Sequence, residues 1–191
     1  MKTQYFGEIS VQKVLDGVEN FQATIAFPEI NLDLFHQHRD WISPFYDFNS
    51  ETILISMHSY IIRTPKMTAV VDTCIGNDKY RIGNGPIYQA NKDVLSHWNL
   101  RNSSYLENLI SAGVHPEEVD YVMCTHMHPD HVGWNTKLEN GKWVPTFPNA
   151  KYLFSPIELE AMQEQTDNPF DEYIRLVFED SVLPVIESGQ S

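Results

Sequence analysis

Between positions 52 and 71 the chain is dominated by apolar and β-branched residues, in the runs "TILISMHSYIIRT" and "TAVVDT". Such runs read as two strands joined by a turn at "TPKM". Earlier, "EISVQKVL" alternates well enough to read as an opening strand. The spacing changes at "SYLENLISAG". There Leu106, Leu109 and Ile110 share one helical face, Ser104 and Glu107 have capping-box spacing, and Gly113 is placed to end the helix. A short apolar strand, "VDYVMCT", follows. Next comes a hairpin across Asn140-Gly141 in "TKLENGKWVPTF", then a strand at "KYLFS". Ser155, Pro156 and Glu158 have the cap, first-turn and capping-box positions of another helix. Strands alternating with helices put the chain in the α/β class. Residues 21–50 break the pattern. They are irregular and aromatic, which suits a functional loop or short helices better than a regular element.

No repeat or linker divides the sequence, so residues 1–191 are expected to form a single domain, with 21–50 as an aromatic loop or lid insertion. Phe27, Phe35, Trp41, Phe45, Tyr46 and Phe48 are expected to cover the mouth of a cleft or to form a subunit contact, which would make a homodimer. A hydrophobic content of 42% and 12% aromatics describe a globular protein. The net charge of −13 argues against nucleic acid as a partner, because phosphate binding needs basic surface. No apolar run is long enough to span a bilayer, and the first residues lack the apolar stretch of a secretory signal. A cytoplasmic, non-membrane protein acting on a small molecule is therefore expected. Two cysteines, Cys74 and Cys124, form no CxxC pair and are expected to be buried free thiols.

The densest chemistry lies in "CTHMHPDHVGW", where His126, His128, Asp130 and His131 fall within six positions. Imidazole is a mediocre core residue and a mediocre helix former, so such a cluster has little structural use. Neutral imidazole and carboxylate are, however, what zinc and its neighbours accept. The cluster directly follows a predicted strand, at the end where open α/β sheets carry their sites. His126 and His128, two apart, can share one ion, and Asp130 with His131 can face a second. Pro129 stiffens the loop, and Gly133 allows backbone to pass close by.

These residues carry a resemblance. "THMHPDH" resembles the HxHxDH motif of the metallo-β-lactamase-fold hydrolases, and "VVDTCIG" resembles their earlier strand-end motif around an aspartate, here Asp72. The order of elements over residues 50–165 is similar as well. The resemblance implies the N-terminal portion of an αββα sandwich, a mixed sheet with helices packed on it. It implies two divalent ions, zinc before manganese, iron or cobalt. His126 and His128 would hold the first ion and Asp130 and His131 the second, with Asp72 supporting the ligand loop. A metal-bound hydroxide would then attack an ester, lactone, thioester or phosphoester, oriented by Asp130. The stretches "THMHPDHVGWNT" and "FPNAKYLFSPIE" look most like the lactonase and organophosphate-hydrolase branch. A glyoxalase II-like thioesterase is the alternative, although Trp134 stands where that branch usually carries glycine.

The family draws further ligands from a "GHTPGH"-like loop, a bridging carboxylate and a final histidine. All eight histidines here fall at or before His131, and Asp167, Asp171 and Asp180 sit in no matching motif. The chain is therefore expected to be the N-terminal part of such a protein, inactive alone, with a reading frame continuing past Ser191. A genuine stop there would favour a non-catalytic metal-binding or assembly module. His36 and His38 echo the motif in "FHQHRD" but are expected on a lid or helix surface, and His58 and His115 are expected to be structural.

Overall fold

The computed structural model describes residues 3–83, 86–164 and 171–191. Asp167 lies outside them. The chain divides into two compact units, residues 1–16 with 58–191, and residues 17–57.

The strands are β1 (Gln4–Phe6), β2 (Ile9–Gln22), β3 (Tyr46–Asp47), β4 (Thr52–Arg63), β5 (Thr68–Val71), β6 (Tyr121–Met123), β7 (Thr136–Glu139), β8 (Lys142–Pro145) and β9 (Lys151–Leu153). The helices are α1 (Ala23–Ala26), α2 (Leu32–Gln37), α3 (Arg39–Ile42), α4 (Pro86–Trp98), α5 (Tyr105–Ser111), α6 (Pro129–Val132), α7 (Pro156–Glu164), α8 (Asp171–Val177) and α9 (Leu183–Glu187). The main sheet has the order β1-β2-β4-β5-β6-β9, and β7 and β8 form a separate hairpin. β4 and β5 are antiparallel, whereas β5, β6 and β9 are parallel. This is the mixed α/β sheet that the sequence predicts.

The tight return between β4 and β5 is held by Thr64, whose hydroxyl accepts the backbone N–H groups of Lys66 and Met67 at 3.1 Å. Register then sorts the side chains. Val70, Val122 and Tyr152 are paired across the three parallel strands, and all are buried. The next row, Met123 with Leu153, lies on the other face and is exposed. The buried row joins Val14, Ile61, Tyr105, Leu109, Val114 and Val119 in one core, so α5 packs on that face of the sheet. Burial of Val70 and Val122 contributes about 1.5–3 kcal/mol each. A charged residue at Val122 would therefore break the layer. The chain returns to β9 near its last residues. The Gln190 carbonyl accepts the Tyr152 N–H at 2.7 Å, and its side-chain amide donates to the Ala150 carbonyl at 2.8 Å.

Three local expectations need correction. Ser104 sits at the N-cap of α5, but its side chain makes no cap bond. The Glu158 carboxylate does not complete a capping box with Ser155; it accepts the Met127 N–H at 3.4 Å, tying α7 to the histidine loop. Cys74 and Cys124 are both free thiols, with Cys74 buried but Cys124 only half-buried. The hairpin at Asn140-Gly141 forms as expected, with both residues at positive φ.

The fold also buries a cluster that polarity alone would place at the surface. Lys79 and Arg81 are fully buried, facing an Asp180 that is 7% exposed. Arg81 grips the Asp180 carboxylate with two bonds, at 2.6 and 3.0 Å. The Lys79 ammonium donates to Thr136 Oγ1 and to the Asp180 carbonyl, and lies 3.7 Å from the centre of the Trp143 ring. Asp180 reaches this position from a single π turn, Phe178–Val182, inserted between α8 and α9. Burial pulls the Lys79 pKa down to about 7, against the Asp180 charge that holds it up. Two cations and one carboxylate thus fasten residues 79–81 to the C-terminal helices and to β7.

The unit of residues 17–57 contains short helices and strand ends. Asn31 caps α2 by accepting the Asp33 N–H. Phe35 and Phe48 both meet Tyr46 edge-on, at 4.7 and 4.8 Å between ring centres, and the Arg39 guanidinium lies over Phe48. His36 packs against Phe48 and His38 against Trp41, each within this unit.

Candidate metal centre

β6 ends at Met123, and the chain passes through Cys124 and Thr125 into His126. Pro129 then opens α6, where its missing N–H costs nothing and its fixed φ suits the first turn. The short helix places Asp130 and His131 on consecutive positions facing back toward His126. The loop closes at Gly133. A Cβ there would lie 1.8 Å from the Ile75 carbonyl oxygen, so only glycine fits this backbone approach. Three backbone bonds stitch the two loops together: Thr73 N–H to the His131 carbonyl, Gly133 N–H to that of Cys74, and Trp134 N–H to that of Thr73.

The four residues singled out by spacing come together. His126 Nε2 and His128 Nδ1 face each other at 3.0 Å. The rings of His126 and His131 lie 3.9 Å apart between centres. His131 Nε2 stands 3.4 Å from Asp130 Oδ2. Asp72 lies behind them. Its carboxylate accepts the Thr125 N–H at 2.8 Å and stands 2.9 Å from His131 Nδ1. It thus meets the histidine loop through a backbone amide and an imidazole, as a half-buried carboxylate at a strand end must.

Electrostatics follow from these contacts. Burial raises the Asp72 pKa, but the bonds from His131 and Thr125 outweigh it and hold the carboxyl below its usual range. Asp130 behaves alike: burial raises it, and the bond from His131 brings it below normal. Burial lowers His131, yet Asp130 and Asp72 together raise it to about 9. His126 is lowered by burial and by its two histidine neighbours.

Thr125 is the site residue that sequence reasoning missed. Its hydroxyl lies 3.0 and 2.8 Å from the two Asp72 oxygens and 3.2 Å from His126 Nδ1. One hydroxyl proton serves the carboxylate, so the oxygen is left to accept a proton from His126 Nδ1. That fixes the tautomer with the Nε2 lone pair turned toward His128. The signal was available, a hydroxyl residue directly before the first histidine, but nothing local distinguishes it from a solvated threonine.

Two bound ions would demand particular spacings of this donor set. Two nitrogens bound to one tetrahedral zinc at about 2.0–2.1 Å stand roughly 3.3 Å apart. The His126–His128 and Asp130–His131 pairs have spacings close to that bite. Among the described residues, however, no three His, Cys, Asp or Glu side chains surround a common point. The chemistry and the pair spacings fit two ions, each with two donors from this stretch. His58, in β4, stacks edge-on with Tyr60, and His115 caps a short 3-10 turn. No helix among the described residues is long and apolar enough to cross a membrane.

Comparison of the sequence with curated proteins gives no match. Among solved structures the fold is similar to hydrolase AbOPH of the beta lactamase superfamily, with a TM-score of 0.69 and 20% identity over 98% of this chain and 58% of that one. It is similar to AidC, a dizinc quorum-quenching lactonase, with a TM-score of 0.63 and 18% identity over 94% of this chain and 59% of that one. It is also similar to a probable metal-dependent hydrolase from Staphylococcus aureus, with a TM-score of 0.61 and 21% identity over 87% and 52%. The chain thus spans little more than half the length of the structures it resembles. At these identities the likeness establishes the fold. The sequence itself matches the family model of the metallo-beta-lactamase superfamily over residues 56–190, a stretch that holds Asp72 and the whole histidine loop. By that match, the chain belongs to the metallo-beta-lactamase superfamily.

Proposed function

We propose that this chain carries half of a dinuclear metal site that hydrolyses a small ester-like substrate, with a lactone as the first candidate. One observation carries the reading. His131 Nδ1 faces the Asp72 carboxylate at 2.9 Å and so must bear hydrogen, which in the neutral ring leaves a lone pair on Nε2. That lone pair faces Asp130 Oδ2 at 3.4 Å. Two acceptors turned toward each other call for a cation between them. A proton answers in the metal-free chain, and a divalent ion answers the same need.

Divalent ions held by His126 with His128 and by Asp130 with His131, zinc ahead of manganese, iron or cobalt, supply an activated water and an electrophile for the substrate oxygen. The remaining work belongs to the chain. Asp72 keeps hydrogen on His131 Nδ1 and leaves Nε2 free. Thr125 does the same for His126 through Nδ1. Asp130 is assigned the orientation of the attacking water. The cysteines take no part, because burial pushes Cys74 well above its usual range and Cys124 to about 12, which leaves both protonated.

Two protein donors per ion fall short of the three typical of catalytic zinc. Residues 1–191 by themselves are therefore proposed to hold zinc weakly and to turn over nothing. The hydrolase activity belongs to a protein that supplies the further donors. Likeness of fold to a dizinc lactonase sets the order of substrates to try: an N-acyl homoserine lactone, then a thioester, then a phosphotriester. The test assays the full product of the gene, loaded with zinc, on these three. Metal-dependent hydrolysis lost in His126→Ala supports the reading. Zinc bound at this cluster without hydrolysis of any of the three would leave a binding or assembly module instead.

A further inference from the structure

Asp72 and Cys74 both have positive φ, at 57° and 52°. An aspartate tolerates that region through its short polar side chain, whereas a cysteine does so only when its surroundings hold it there. The surroundings here are unusually polar for a core. Ser59, in β4, is fully buried, and its hydroxyl donates to the Asp72 carbonyl at 2.6 Å. The same oxygen lies 2.6 Å from the hydroxyl of Tyr105, also fully buried, and 3.6 Å from Cys74 Sγ.

Proton counting orders the chain of bonds. The Ser59 hydroxyl has one proton, and the Asp72 carbonyl cannot donate, so that proton is committed. Tyr105 must then donate to Ser59. Tyr105 is in turn fixed by stacking on Trp134, with ring centres 5.6 Å apart and planes at 24°. Trp134 follows Gly133 and donates its backbone N–H to Thr73. A closed circuit results, running from the histidine loop through Trp134, Tyr105 and Ser59 to the backbone of Asp72, and from the Asp72 carboxylate back to Thr125 and His131.

We infer that Ser59 and Tyr105 are positioning residues, which hold the backbone of Asp72 so that its carboxylate meets Thr125 and His131. The inference rests on the metal-site reading given above, but its physical content is local and exists without an ion. A buried serine hydroxyl that merely filled space would have no reason to be sandwiched between a phenol donor and the backbone carbonyl of the positive-φ aspartate at the site. Partners bonded directly to metal ligands, as Asp72 is to His131, typically change metal affinity by about 10–100-fold when removed, and loosening Asp72 is expected to act at the lower end of that range.

The test has two readouts in the metal-free and zinc-titrated protein. Amide hydrogen exchange follows Thr125, whose N–H donates to Asp72 Oδ1, relative to Val70 and Val122 in the neighbouring strands. Zinc affinity is measured by competition with a chromophoric chelator. Ser59→Ala and Tyr105→Phe are compared with Val114→Ala, a truncation elsewhere in the same core. Tyr105→Phe keeps the ring on Trp134 and remains informative should Ser59→Ala fail to fold. Both positioning variants are expected to speed Thr125 exchange at least tenfold while the strand amides keep their relative protection, and to weaken zinc roughly tenfold. Val114→Ala is expected to lower protection evenly. If Tyr105→Phe leaves Thr125 exchange at the wild-type value or shifts all amides evenly, the pair is packing and the inference falls. If the wild type binds no zinc, the metal reading falls, and the exchange of Thr125 still decides the positioning role.

Discussion

His126 Nε2 and His128 Nδ1 point at each other across 3.0 Å, at the ends of a single Met127 spacer. Between neutral rings that distance needs one hydrogen, and Thr125 draws the His126 hydrogen to Nδ1. The pair is thereby set with a lone pair directed inward. Zinc titration should read this directly. His126→Ala and His128→Ala are each expected to weaken binding at least tenfold, whereas His97→Ala, on α4, leaves it unchanged, as isothermal titration would measure.

The acid–base balance of His131 gives a pH signature in the metal-free protein. Its folded pKa of about 9 lies above the ordinary value of 6.5. The imidazolium is thus favoured by folding. Its contribution is fully present below pH 6.5, declines as pH rises, and is gone above pH 9. Linkage sets an upper bound of about 3.4 kcal/mol, which solvent screening of the part-exposed ring reduces to roughly 2–3 kcal/mol. Lys79 acts in the opposite sense, since its folded pKa of about 7 lies below 10.5 and stability gained from it grows as pH rises between the two. The comparison must therefore be a difference. Urea unfolding of wild type minus His131→Gln should shrink between pH 6.5 and 9.5, and a constant difference would refute the assignment.

Thr125→Val removes the hydroxyl shared between Asp72 and His126 while keeping the branched shape. Hydrogen bonds to charged groups contribute about 1.5–3 kcal/mol. A loss at the lower end of that range is expected, because the pair is part-exposed. Thermal unfolding checks it, and zinc affinity should fall with it. Thr125→Ser should restore both.

Asp180 is the counter-charge for the fully buried Arg81 and holds up the pKa of Lys79, so Asp180→Ala would leave Arg81 uncompensated and drive Lys79 toward its neutral form. Breaking a buried pair this way costs about 3–5 kcal/mol. The expected outcome is a protein unfolded or nearly so at room temperature. Replacement of the whole trio by apolar residues should recover much of the loss, a contrast that denaturant melts would resolve.

Much of the scaffold could be read in advance because its signals are local. The strands at 52–63, 68–71 and 121–123 are apolar runs, and the ligand cluster is a run of ligand types that structure alone does not reward. α4 escaped notice since its apolar positions in the sequence, among them Tyr88, Leu95 and Trp98, are interrupted by Gln89, Asn91, Lys92 and Asp93, behind a glycine-rich approach. Nothing in the sequence marks Lys79 and Arg81 as buried, since most charged side chains stay in water. Only the fold brings Asp180 within 2.6 Å, across 99 positions. Ser59 and Tyr105, 46 positions apart, likewise carry no local mark of their bond. Pairings made by topology have no periodicity to reveal them.

The contact of Gly133 with Ile75 has a consequence for how such a site changes over time. Because the strand-end loop and the histidine loop touch backbone to backbone, with no room for a single carbon, neither can shift without the other. Any change in what the two loops present would have to come from the side chains around them, by exchange or by insertion. The pair of loops is inherited as one indivisible piece.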